Sequence, residues 1–238
     1  MSFLDGAAYP ALARGPDEPP NPWFSWDYVR DNSSILADAL VEHLILTGVS
    51  VAIAVAIGIP LGILAYRVRW LAGPIVGLSG VLYTVPSLAL FALLAPFTGI
   101  TRTTVLIGLV AYALLIIVRN TLTGLQQVPA DVIDAATGMG YSRRELLTRI
   151  ELPLAVPGIL TGLRIATVST VALVTVGVIV GYGGLGQLIL EGFRNNEYRA
   201  QIAAATIMVV ALALVLDLAL AWLGRLATPW SRRRGGMA

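Results

Sequence analysis

The chain of 238 residues is 57% hydrophobic, only 13% charged and has a formal net charge of +2, whereas soluble domains carry about 25% charged residues. It has no cysteine and one histidine, His43, which excludes disulfides, thiolate metal sites and histidine clusters. All 16 basic residues are arginines, and without lysine no G-x-x-x-x-G-K-[ST] phosphate loop can form in this chain.

The charges come in islands. Residues 70–101 and 165–190 are uncharged runs of 32 and 26 residues, each longer than the roughly 20 residues that cross about 30 Å of hydrocarbon. Such runs are too long for one apolar face of a soluble helix. The pattern predicts an all-α polytopic membrane protein with about five transmembrane helices, over 44–66, 74–95, 103–125, 157–180 and 200–224.

Ahead of the first span, residues 1–24 form a Pro/Gly-rich tract with Asp5, Asp17 and Glu18, expected to be disordered and lacking a basic, apolar signal sequence. Residues 25–40 are expected to form an interfacial helix led by Trp23, Phe24, Trp26 and Tyr28. The five tryptophans (Trp23, Trp26, Trp70, Trp222, Trp230) fall near span ends, as an aromatic belt requires. Within the spans, Pro60 and Pro86 fit either packing kinks or a moving gate. Tyr83 and Tyr112 fit either core packing or ring-face contact with a cationic substrate.

The arginines orient the spans. Placing the 66–73 and 119–164 connections and the C-terminus on one side gathers eleven of the 16 arginines there. The other side keeps Arg14, Arg30, Arg102, Arg194 and Arg199, diluted by seven acids before the first span. The positive-inside rule then predicts the N-terminus outside, and the 25–224 membrane domain ending in a basic cytoplasmic tail, 225–238. Arg119, Arg164 and the embedded Asp217 fit snorkelling with an Arg–Asp pair, or a relay of protons or substrate.

The longest polar island inside this region, residues 126–153, reads QQVPADVIDAATGMGYSRRELLTRIELP. Pro129 starts a short helix with Val132, Ile133 and Ala136 on its apolar face. Gly138 and Gly140 are expected to supply the positive backbone angles that end it. Ser142 and Glu145 make an S-x-x-E capping box for a second helix with Leu146, Leu147 and Ile150 on one face. That helix is expected to stop at Leu152, which precedes Pro153. A helix-turn-helix of this shape suits docking into a partner's groove better than lying on headgroups as a connector.

Further on, TVGVIVGYGGLG places Gly181, Gly183 and Gly186 in a G-x-G-x-x-G pattern, and Val180 to Gly183 in four letters of a cation-channel filter. The first pattern works only between a strand and a helix, and here a long uncharged run precedes it. The filter needs threonine where Ile179 stands, and a short pore helix that the preceding span leaves no room for. The glycines are expected instead to shape a tight turn on the outer side.

Asp134-Ala135-Ala136, Gly140 and Ile150-Glu151-Leu152-Pro153 reproduce the spacing E-A-A, three residues, G, nine residues, I-x-L-P. In this the chain resembles the permeases of binding-protein-dependent ABC importers, with Asp for Glu at 134 as the one departure. The resemblance implies a methionine-importer-like fold, with Asp134, Ala135, Ala136, Gly140, Ile150, Leu152 and Pro153 seated on an ATPase. Glu42-His43-Leu44, Gly58-Ile59-Pro60-Leu61-Gly62-Ile63, Thr84-Val85-Pro86-Ser87-Leu88-Ala89 and Gly181-Tyr182-Gly183-Gly184-Leu185-Gly186 are similar to segments of osmoprotectant permeases, which import glycine betaine, choline and carnitine.

The resemblance covers about 33–224. It implies a non-enzymatic transport subunit of a bacterial inner membrane that alternates its access, with two ATP-binding subunits, an extracytoplasmic substrate-binding protein and a second permease copy or paralogue. It implies neither a cofactor nor a nucleic-acid partner. Gly181, Gly183, Gly184 and Gly186 become an external gate turn, and Tyr83, Pro86, Ser87 and Tyr112 candidate pathway residues. Methionine and phosphonate importers share the glycine turn, so an amino acid or other small solute stands as the alternative cargo. A secondary transporter is the rival class, expected to show internal repeats and a complete pathway in one chain. An intramembrane protease would need paired groups that His43 and Asp217 do not supply.

Overall fold

The computed structural model describes residues 21–195 and 197–229, and these are helical, with no strand among them. The helices are α1 (Trp26–Asp31), α2 (Ser33–Arg67), α3 (Arg69–Thr84), α4 (Ser87–Thr98), α5 (Arg102–Gln126), α6 (Ala130–Gly138), α7 (Arg143–Glu145), α8 (Leu152–Val174), α9 (Leu185–Arg194) and α10 (Arg199–Ala227). A π-helical turn, Leu146–Glu151, joins α7 to α8, and a 3₁₀ segment, Thr175–Val180, closes α8. Four helical stretches are long and apolar enough to cross a membrane, and the bent pair α3–α4 makes a fifth crossing if it counts as one span.

The expected N-terminal tract lies outside the described residues through residue 20, as do Trp230, Ser231 and Arg232 to Arg234 of the expected tail, whose Arg225 lies in the last turn of α10. Where the description begins, Asn21 donates to the Glu197 carbonyl (2.8 Å) and accepts from the Arg199 amide (2.8 Å). The separate interfacial helix expected over 25–40 is replaced by two pieces. Helix α1 ends at Asp31, and α2 starts at Ser33 and runs without a break into the first span. Pro60 sits inside α2 without ending it.

Helices α2, α5 and α8 form the centre, and small residues set their spacing. A Cβ on Gly58 would lie 2.7 Å from Ile117, and one on Gly62 would lie 2.6 Å from Thr121. In lipid, where no hydrophobic force pulls helices together, such close approach supplies the packing energy. Three buried clusters follow along the bundle. One holds Ala54, Ala113, Ile117 and Ala166, the next Leu46, Phe91, Val105, Leu109 and Val174. The third sits beneath α9 and includes Leu36, Leu185, Leu188 and Ala204. Helix α10 is the periphery: only 11% of its most apolar window is buried, and Leu214, Val215, Leu218 and Trp222 are exposed.

The second expected span, 74–95, is not one helix. Val85 is extended ahead of Pro86, as the residue before proline prefers, and α3 and α4 meet at 96°. The Tyr112 hydroxyl on α5 donates to the Val85 carbonyl that the break leaves free.

Candidate functional site

The arginine-rich end of the bundle carries the loop between α5 and α8. Pro129, in extended geometry, caps α6. The helix closes in a Schellman motif, with the Tyr141 amide on the Ala136 carbonyl (3.2 Å) and the Gly140 amide on the Thr137 carbonyl (3.0 Å). Gly140 adopts φ +84 to allow it. Gly138 does not share this role, contrary to expectation: it is the last helical residue and has no positive φ, because one left-handed residue suffices for the motif.

The capping box is present. The Ser142 hydroxyl accepts from the Glu145 amide (3.4 Å), and the Glu145 carboxylate accepts from the Ser142 amide (3.1 Å). The Ser142 hydroxyl also donates to the Glu145 carboxylate (2.8 Å), and this bond first, the one from the Ser142 amide second, holds the Glu145 carboxyl below its usual range.

The second helix does not stop at Leu152. The chain passes through the π-helical turn into α8, with the Leu152 amide reaching back five residues to the Leu147 carbonyl. The wide turn just before Pro153 gives the ring the room that an α-turn denies it, and Leu152 keeps helical angles. Ile150, Leu152 and Pro153 are half-buried where this rod leaves the loop.

Burial splits the small motif residues between two faces. Asp134 and Ala135 are exposed, together with Gly138 and Met139, while Ala136 is 2% exposed and packs within the chain. The loop therefore offers an open face centred on Asp134 and Ala135.

The sequence reading gave no role to the residue between Ile150 and Leu152. Glu151 is 3% exposed. Its carboxylate accepts from the Tyr66 hydroxyl (2.9 Å) and pairs with the Arg67 guanidinium (3.2 Å). The same guanidinium nitrogen donates to the Arg143 carbonyl (2.6 Å). A carboxylate in an I-x-L-P motif with an arginine closing the first span was the available signal, but 84 residues separate the pair.

At the opposite end, the 3₁₀ segment tightens the chain into the glycine turn. Gly181 is left-handed at φ +79, and Gly184 stands at φ +51 and ψ −123. A Cβ on Gly184 would come within 2.7 Å of His43, one on Gly183 within 2.8 Å of the Val178 nitrogen, and one on Gly186 within 2.6 Å of Thr175. His43 packs directly against this turn. It is fully buried beneath this turn, with Nε2 hydrogen-bonded to the Val171 carbonyl of α8 (3.0 Å). Arg102 braces the rim, pairing with Glu42 (3.2 Å) and lying over the Tyr182 ring at 6.0 Å.

The four candidate pathway residues meet at the α3–α4 break. Tyr83 and Tyr112 make an edge contact at 5.7 Å between centroids, and Pro86 starts α4 ahead of Ser87. Tyr83 is exposed and Tyr112 buried. Elsewhere Arg164 and Asp217 form a bidentate pair (2.9 and 2.7 Å) joining α8 to α10. They border a cavity of about 420 Å³, with Thr161, Ile165, Val168 and Ser169.

Residues 54–229 match the family model described as a binding-protein-dependent transport system inner membrane component. The osmoprotectant import permease protein OsmW of Salmonella typhimurium is 38% identical over 207 residues, covering 85% of this chain and 96% of that protein. The glycine betaine/carnitine/choline transport system permease protein OpuCD of Bacillus subtilis is 34% identical over 208 residues, covering 87% and 91%. A chain of the MetNI methionine ABC transporter in an inward-facing conformation superposes with a TM-score of 0.75 at 23% identity, covering 83% of this chain and 98% of that one. With a capped, kinked-out loop at one end and a glycine turn at the other, the chain belongs to the binding-protein-dependent transport system inner membrane components.

Proposed function

We propose that this chain is the membrane permease of an ATP-driven importer for glycine betaine or a related quaternary amine. The observation that carries the reading is the loop at 126–153. A Schellman motif and a capping box fix its two helices, and Asp134 and Ala135 are left facing outward on it. A shape held by this many local bonds, with small residues exposed, suits a partner's groove. The substrate class rests on the similarity to OsmW and OpuCD.

In this reading the loop lies in the cytoplasm on one of two ATP-binding subunits. A second permease copy or paralogue completes the pathway, and a binding protein delivers the amine to the outer side. ATP binding and hydrolysis bias two conformations of the assembly, and the permease adds no net free energy to the cargo. Asp134, Ala135, Ala136, Gly140, Ile150, Leu152 and Pro153 make or shape the ATPase contact. The glycine turn serves the outer gate, and Tyr83, Pro86, Ser87 and Tyr112 border the pathway where α3 and α4 bend.

The test is co-purification from native membranes. A tagged chain should bring down an ATP-binding subunit, and Ala135→Asp should release it while leaving the permease in the membrane. Retention of the subunit by Ala135→Asp would contradict this assignment of the loop.

A further inference from the structure

Glu151, Arg67 and Tyr66 form a polar cluster at the inner end of α2 that the coupling motif does not account for. A carboxylate 3% exposed is stable only when its oxygens are matched. Both are: Tyr66 donates to one at 2.9 Å, and Arg67 pairs with the other at 3.2 Å. Arg67 also holds the Arg143 carbonyl at 2.6 Å. One guanidinium, on the last residue of α2, thus binds the first residue of α7 and the last residue of the π-helical turn. The loop's second helix is fastened to α2 at both of its ends.

This fastening changes how a push on the loop can travel. The direct route runs along α7, through the π-helical turn and up α8. Its π-helical turn is the irregular element, of the kind at which helices bend. Arg67 splints that turn and diverts load into α2, which is continuous from Ser33 to Arg67. Counting from Arg67 to His43 at 1.5 Å per residue, the load is delivered roughly 35 Å away. There His43 lies beneath the glycine turn, with no room for a Cβ between it and Gly184. His43 also holds the Val171 carbonyl, so α2 and α8 arrive at the turn together.

We propose that Tyr66, Arg67 and Glu151 are positioning residues forming a clamp, and that α2 is the connecting rod through which the clamp carries loop displacement to the outer glycine turn. The proposal rests on the importer reading above.

The cysteine-free chain allows a direct test in the assembled transporter. Ile179→Cys, at the exposed position of the 3₁₀ segment beside the turn, serves as reporter for an impermeant maleimide. In the otherwise unaltered protein its labelling rate should differ with and without ATP. Glu151→Gln and Arg67→Ala should each leave ATP hydrolysis in place, remove the difference in labelling, and lower solute moved per ATP by about tenfold. The charge-exchanged double variant Arg67→Glu with Glu151→Arg should regain part of both.

Nucleotide-dependent labelling and normal yield per ATP in both single variants would overturn the clamp. So would loss of assembly in every variant, the exchanged pair included, because the cluster would then be only a brace for folding. A reporter insensitive to ATP in the otherwise unaltered transporter, with no uptake, would overturn the importer reading and the clamp with it.

Discussion

Gly184 combines a φ of +51 with contact against His43, so a side chain there meets both backbone strain and a buried neighbour. Gly184→Val should introduce roughly 1–3 kcal/mol of local strain and reduce uptake with membrane abundance nearly normal. Gly80 in α3 has open space around it, and Gly80→Ala should leave uptake unchanged. Equal activity of Gly184→Val and Gly80→Ala would make the turn a mere connector. At the inner end, Ser142→Ala removes the N-cap and should cost about 1 kcal/mol of local order. Trypsin cleavage after the exposed Arg143 or Arg144 of the purified protein should then rise roughly fivefold. Gly140, Ser142 and Glu145 were legible in the sequence because their partners lie within five residues. His43 and Glu151 were not: their roles depend on Val171, Gly184 and Arg67, distances at which no local pattern operates.

The elements differ from their sequence signals where backbone geometry absorbs a proline. Pro86 announced an interruption, but the 96° bend and the Tyr112 bond that stabilises it depend on how α3 packs over α5. Pro153 announced a helix end that the π-helical turn removes. Helix α6 was legible as a short helix led by Pro129, yet which of its alanines lies on the open face could not be known without its packing. That distinction gives a paired prediction. Ala135→Asp places its charge on the open face, so the permease should keep its thermal stability and lose its ATPase. Ala136→Asp puts an unmatched carboxylate at a site 2% exposed, which costs several kcal/mol. Detergent-solubilised Ala136→Asp should therefore melt at a lower temperature, and identical melting of the two variants would contradict the two-faced arrangement.

At the scale of the molecule, the sequence carried the class of fold because bilayer thickness alone sets the length of its uncharged runs. It also carried the capped loop and the glycine turn at the two ends of the bundle. Of the two readings open for Arg164 and Asp217, the Arg–Asp pair is the one formed, between α8 and α10, whose packing against each other neither helix taken alone reveals. Orientation is a proposal from the arginine distribution and can be checked with single cysteines. Ser2→Cys should react with an impermeant reagent on intact cells and Ser231→Cys should not; labelling of position 231 would reverse the topology.

In the function proposed, this chain passes a quaternary amine across the membrane only when an ATPase acts on its 126–153 loop. This is tested most directly by accumulation of labelled glycine betaine in proteoliposomes holding the complete transporter and its binding protein. Accumulation should require ATP and be abolished by Ala135→Asp, with the variant present in normal amount. Accumulation without ATP, or ATP-driven accumulation undiminished in Ala135→Asp, would contradict it.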